Sequence, residues 1–242
     1  MLNCYIICFN NGWLVRNTVD ALKRFSQEVK CIVVDNCSTG ARTKNTLAEL
    51  QAEGVEVRHM TENFGHKVVQ NKIRPSEPMY IITDPDLDLT KLPSDTIKVL
   101  MNYSDRLRAY KVGLALDISC TDDLLEGEYY DNVSIAQWES RFWQDRKALL
   151  EHEVYDADID TTFALYNQRY TQAEHNGRGK YRLAGPYTVR HLMWHKSWVE
   201  QLDEEDYKEY FLTAKSISTT SKLVQAYFDE LQRKRLQDQD QH

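Results

Sequence analysis

Three carboxylates within five residues, Asp84, Asp86 and Asp88, follow the apolar run Met79-Tyr80-Ile81-Ile82-Thr83. A short run of β-branched and aromatic residues reads as a buried strand. Pro85 removes a backbone donor and fixes φ, so the strand stops there and the chain turns. Carboxylates just past a strand's C-terminal end lie where open α/β sheets bind ligands. Hard oxygen ligands at this spacing suit Mg2+ or Mn2+ shared with the phosphates of a ligand; the competing reading is a solvated acidic turn. Asp84 and Asp86 are the candidate metal ligands, and Asp88 is ranked below them as a cap for the next segment.

Asp35 ends the apolar run Cys31-Ile32-Val33-Val34 in the same way. A carboxylate there can accept hydrogen bonds from a ribose hydroxyl or a base N–H, or it can close an Asx-turn. Asn10-Asn11-Gly12 and Asn63-Phe64-Gly65 supply amides and flexible backbone near two further strand ends. Arg190 can pair with phosphate, and His191, or else His195, can complete a metal shell as a neutral imidazole. Trp138, Glu139, Phe142 and Trp143 offer sugar-stacking faces and a carboxylate for hydroxyls, although at helical spacing such aromatics more often belong to a core.

The elements that must hold these residues alternate through the first half. Strands are expected over 4–9, 31–34, 55–59, 79–83 and 111–116, and helices over 13–25, 43–52, from residue 66 and over 92–101. Strands joined by helical crossovers imply an α/β fold: a mainly parallel, twisted central sheet, flanked by helices, with the acidic strand ends on one edge. The second half changes character. A long helix is expected over 133–150, and an acidic loop at 158–162 caps a helix through Tyr166. A glycine-containing stretch at 175–180 leads into a strand over 181–184, and an amphipathic helix covers 222–235 before a polar tail.

The chain has 242 residues, 42% of them hydrophobic and 28% charged, with a formal net charge of −7. This fits a globular chain and offers no basic field for nucleic acid. No window approaches a membrane span, and the five cysteines, Cys4, Cys8, Cys31, Cys37 and Cys120, have no metal-type pairing. Free thiols in strand-like runs suit a reducing compartment, so a cytoplasmic protein is expected. There is no Gly-x-Gly-x-x-Gly, no Walker-type Gly-Lys-Ser/Thr and no Gly-x-Ser-x-Gly, which excludes the usual dinucleotide, P-loop and hydrolase signatures.

Taken in order, residues 4–11, Val33-Val34-Asp35-Asn36-Cys37-Ser38, Asn63-Phe64-Gly65 and Thr83-Asp84-Pro85-Asp86 resemble the nucleotide-sugar-binding half of family-two inverting glycosyltransferases of the GT-A fold. The resemblance covers most of residues 1–120. It implies one GT-A-like α/β/α domain over 1–242, with a donor half at 1–120, an acceptor half at 121–220 and a C-terminal helix and tail at 221–242. It also implies donor contacts from Phe9, Asn10, Asn11, Asp35, Asn36, Asn63, Gly65, Lys67, Asp84, Pro85, Asp86 and Arg190. A Mn2+ or Mg2+ ion would sit on Asp86, Asp84 and His191. The acceptor, a glycan or other hydroxyl, would meet Asp117, Trp138 and Glu139.

The family's Glu-Asp pair reads Ala157-Asp158 here, so Asp160 is the first choice for the base and Asp158 the second, with Asp117 as a further candidate. An acceptor hydroxyl has a high pKa, so a carboxylate must take its proton as it attacks the anomeric carbon, and a single displacement inverts that centre. The alternatives are a sugar-phosphate nucleotidylyltransferase and a non-catalytic nucleotide-sugar or glycan-binding protein. Homo-oligomerisation is left open.

Overall fold

Along β1 (Leu2–Cys8) the side chains alternate between two cores: Cys4, Ile6 and Cys8 face one, Tyr5 and Ile7 the other. The same alternation continues in β2 (Val29–Asp35) and in β4 (Met79–Thr83), where Val33 and Ile81 join the first core and Ile32, Val34, Tyr80 and Ile82 the second. Strands buried on both faces read as near-continuous apolar runs, which is why these were visible in the sequence. The computed structural model describes residues 1–148, 150–171, 179–213 and 218–239.

The eight-stranded sheet has the order β3-β2-β1-β4-β8-β6-β9-β7. Its remaining members are β3 (Glu56–His59), β6 (Lys111–Leu114), β7 (Val154–Asp156), β8 (Ala164–Asn167) and β9 (Lys180–Leu183). All run parallel except β8 and β7. A second, two-stranded sheet pairs β5 (Leu87–Asp88) with β10 (Arg190–His191).

From β1 the chain winds outward through α1 (Gly12–Leu22), β2, α2 (Ala41–Ala52) and β3, then returns to the other side of β1 as β4. Right-handed crossovers therefore put α1 and α2 on one face and the 60–78 connection on the other. The first face also receives α3 (Thr96–Leu107), and the second is covered by Met60, Phe64 and the π-helical turn Val69–Ile73. The reversal at β1 and β4 opens the crevice at which ligands bind in such sheets.

One expected helix is absent and another is cut short. The segment expected as a helix through Tyr166 instead forms β8, an antiparallel strand wedged between β4 and β6 and followed by the 3-10 turn Gln168–Tyr170. Its residues are buried on both faces. Tyr166 lies opposite Tyr80 in the ladder and stacks on it, with ring centroids 5.2 Å apart and planes inclined by 6°. Three apolar residues ahead of the buried Asn167 carry no period, and the Asp and Thr residues before them have the types of a helix cap.

The long helix expected over 133–150 stops after α4 (Ile135–Ser140), started by a Ser134–Gln137 capping box, and one 3-10 turn, Arg141–Trp143. Beyond it, the backbone bonds to β7 instead: Lys147 N donates to Val154 O at 2.8 Å, and Asp156 N to Asp145 O at 2.9 Å. The strand expected over 111–116 ends as β6 at Leu114, with Leu116 bridging Val189. The expected stretch at 175–180 lies outside the described residues up to position 178, as does the tail at 240–242. The C-terminal part adds α5 (Glu204–Phe211) and α6 (Thr219–Gln239).

The insertion of β8 leaves no room beside β6. A Cβ added at Gly113 meets Phe163 O at 2.9 Å and the Ala164 Cβ at 3.0 Å. Gly113→Ala is expected to lower the unfolding free energy by ~1–3 kcal/mol, as overpacking does elsewhere. A urea midpoint equal to wild type would contradict this.

Candidate active site

A cleft of about 1430 Å³ runs along the C-terminal ends of β1, β2, β4 and β6. Its floor is the turn after β4. Asp84 N donates to Thr161 O at 2.9 Å, the Thr161 hydroxyl donates to Asp84 Oδ2, and the Thr18 hydroxyl donates to Pro85 O at 3.1 Å. Leu192 N donates to Asp86 O at 2.8 Å, and the pairing of β5 with β10 brings His191 opposite Leu87. The His191 Nε2 atom thereby lies 3.5 Å from Asp86 Oδ2, and its ring stacks on Trp194 with centroids 4.6 Å apart.

Asp86 Oδ1 and His191 Nδ1 are buried with no hydrogen-bond partner among the described residues. Burial pushes the Asp84 carboxyl well above the usual range, and the neighbouring Asp86 charge adds to this; the Thr161 hydroxyl pulls the other way. Asp88, by contrast, accepts from Thr90 N at 3.0 Å and closes its own turn.

The asparagines build the loops of the donor half. Asn10 is fully buried with φ 53°, and its Oδ1 accepts from Thr39 N at 2.8 Å and Gly40 N at 2.9 Å. Its Nδ2 reaches Thr213 Oγ1 at 2.6 Å. Asp35 accepts from Ser38 N at 2.9 Å and meets His59 Nδ1 at 2.8 Å. Asn36 accepts from Phe64 N at 2.8 Å and donates to Asn63 Oδ1 at 2.8 Å and Gly65 O at 3.1 Å. Asn10 and Asp35 therefore lie behind the cleft, whereas Phe9, Asn11, Asn36, Asn63, Gly65 and Lys67 line it.

Asp158, Asp160, Trp138 and Glu139 line the opposite side. Lys180 Nζ holds Asp158 Oδ1 at 2.9 Å, while the exposed Asp160 carboxylate takes no hydrogen bond from any described residue. Trp138 and Tyr130 rings are 4.9 Å apart, and the Arg141 guanidinium lies 3.5 Å over Trp138. Glu139 is 2% exposed and paired with the buried Arg182, whose guanidinium also sits 4.1 Å over Phe142. Burial pushes the Glu139 carboxyl up to about 7, against the pull of Arg182.

Two expected site residues point elsewhere. Arg190 donates to Asp123 Oδ2 at 2.6 Å and to Ser197 Oγ at 3.2 Å, and Asp117 accepts from Ser119 N at 2.8 Å; neither lines the cleft. His195 is buried on Asp123 at 3.0 Å.

Lys111, Thr161, Arg182 and Tyr210 reach the cleft without having stood out in the sequence. Tyr210 arrives because Glu209, its neighbour on α5, accepts from Arg42 N at 3.0 Å and Thr43 N at 2.7 Å at the start of α2. Burial, with the charges of Asp86 and Asp84, pushes the Tyr210 phenol up. No local pattern announces these residues, since each acts through partners far along the chain.

Residues 4–74 match the family model described as Glycosyl transferase family 2. The fold resembles that of the mannosyltransferase PcManGT from Pyrobaculum calidifontis, described in complex with GDP-Man and Mn2+. That comparison has a TM-score of 0.52 and 11% identity, and covers 94% of this chain and 68% of that one. TarS of S. aureus, residues 1–349, aligns with a TM-score of 0.48 and 11% identity, over 94% of this chain and 70% of that one. No curated protein matches the sequence.

The Glu139–Arg182 pair beside the cleft permits a direct test of its energetics. Arg182→Met should cost ~3–5 kcal/mol in chemical denaturation, because it strands a buried carboxyl without its cation. Adding Glu139→Leu should recover most of that loss. Additive losses in the double variant would argue against a coupled pair.

Proposed function

We propose that this chain, whose residues 4–74 match the family-two glycosyltransferase model, moves a sugar from a nucleoside-diphosphate donor to an acceptor hydroxyl of a glycan, with inversion. One observation carries the reading. The carboxylate of Asp160, which takes no hydrogen bond from any described residue, shares a cleft with the Asp84–Asp86 turn, which supports a base and a diphosphate site on one cavity.

Asp84, Asp86 and His191 are the residues that would hold a divalent ion. The fit rests on the partnerless Asp86 Oδ1 and on the hard oxygen donors of the pair. Among the described residues no three carboxylate, imidazole or thiolate side chains converge as a complete metal site, so in this proposal donor phosphates would have to supply the rest of the shell. When bound, the ion stabilises charge developing on the departing diphosphate. The GDP-Man and Mn2+ described with the mannosyltransferase of similar fold support both parts of this reading.

Asp160 takes the proton of the acceptor hydroxyl as that oxygen attacks the anomeric carbon. The bond from this carbon to the diphosphate breaks on the opposite face, its electron pair leaving with the nucleotide. Asp158 is the second choice, because Lys180 already occupies its carboxylate. Lys67 and Asn11 face the donor side, and Trp138 with Glu139 the acceptor side. No helix among the described residues is long and apolar enough to cross a membrane.

The experiment is a turnover screen of GDP-mannose, UDP-N-acetylglucosamine and UDP-glucose with and without Mn2+. Asp160→Asn should keep nucleotide-sugar binding and lower turnover by about 10²–10⁴-fold, since the amide keeps the shape and loses the proton acceptor. Wild-type turnover in that variant would move the base elsewhere.

For the metal, Asp86→Ala should abolish Mn2+-stimulated turnover with a thermal midpoint close to wild type, because a turn side chain contributes little to packing. Full activity of Asp86→Ala in chelator would end the metal reading.

A further inference from the structure

The segment carrying Asp160 is fixed by its backbone. Asp158 O accepts from Arg182 Nε at 2.7 Å. Lys111 Nζ donates to both Ile159 O and Asp160 O, at 2.7 Å each. Thr161 O accepts from Asp84 N at 2.9 Å. Four successive carbonyls are thus satisfied by the protein, three of them by buried cations: Lys111 is 7% exposed and Arg182 4%.

Both cations stand on neighbouring strands, where Gly113 of β6 lies opposite Arg182 of β9 and Lys111 opposite Lys180. An ammonium is costly to bury unless its donors are used. Here two carbonyls use them, and the Tyr166 ring face lies 4.7 Å from the Nζ atom. With the carbonyls turned to these donors, the segment has little freedom to rotate, and the Asp160 side chain is left on the cleft lining.

We propose that Lys111, assisted by Arg182, is a positioning residue for transfer: it locks residues 158–161 so that the Asp160 carboxylate meets the acceptor hydroxyl. The proposal rests on the reading of Asp160 as base. Lys111 touches no reacting atom in this scheme. It acts through the backbone of the residue that does.

The test is a double-mutant cycle, run with whichever of the three nucleotide sugars above supports turnover. Lys111→Met should lower kcat by about 10²-fold, the size of effect expected from a misplaced reacting group. Donor KM should stay within about twofold, because the substitution removes none of the side chains placed on the donor side, such as Asn11 and Lys67. Lys111→Arg, which keeps the charge and the donors, should restore at least a tenfold share of the loss. In the Asp160→Asn background, Lys111→Met should cost nothing further, since residues acting as a unit are non-additive.

An equal loss in both backgrounds overturns the proposal, as does unchanged kcat in Lys111→Met. Wild-type turnover of Asp160→Asn instead ends the base reading, a different failure. If Lys111→Met does not fold, Lys111→Arg carries the cycle: its loss in kcat must vanish when Asp160 is Asn, and persistence there counts against the role.

Discussion

Carboxylates repel, and this site gathers Asp84, Asp86 and Asp160 on one cleft. Two unit charges 4 Å apart repel by about 4 kcal/mol at the effective dielectric near a protein surface. Burial sharpens the problem for Asp84, whose carboxyl is pushed up by desolvation and by Asp86. The surrounding structure offsets this piece by piece. The Thr161 hydroxyl donates to Asp84, the β5–β10 pairing sets His191 beside Asp86, and the Lys111 ammonium lies beneath the segment of Asp160. The wedge of β8 delivers Thr161 to the end of β4, where its carbonyl accepts from Asp84 N. In the proposed reaction, a divalent ion supplies the positive charge the protein leaves out.

The first 120 residues divide their labour between residues that build loops and residues that line the cleft. Asn10, Asp35 and Asn36 spend their hydrogen bonds on backbone amides, carbonyls and each other's loops. Side-chain amides can satisfy two partners at once in a turn, so they fix loops that have no regular ladder. Their neighbours Phe9, Asn11, Asn63 and Lys67 are thereby held at the cleft. A short polar motif in such a sheet can be required for the site without touching what binds there.

The sequence made the donor half legible because its strands are buried on both sides and end abruptly in acidic or amide residues. β1, β2 and β4, and the turn at Asp84–Asp86, were read on that basis. The second half resisted for physical reasons. β8 is a four-residue strand with no usable period, and the helix after Ser134 stops where its backbone finds β7. Arg190 looked like a phosphate ligand until Asp123, 67 positions away, claimed it. Lys111 and Arg182 resemble ordinary strand-edge cations in sequence. Only the carbonyls they bind, supplied by a distant loop, give them a purpose.

The seating of Glu209 at the start of α2 has a consequence for how this chain comes into being. That helix has no side-chain cap of its own at Gly40, and the two amides Glu209 accepts belong to residues about 166 positions earlier. Unsatisfied amides at a helix start weaken it, and contacts between distant parts of a chain form late. During synthesis the first half leaves the ribosome long before its cap exists, and Thr213, the partner of Asn10, is equally late. The donor side of the cleft therefore gains these contacts only after α5 has been made. A nascent chain stalled before α5 would carry most of the sheet and still lack a settled pocket.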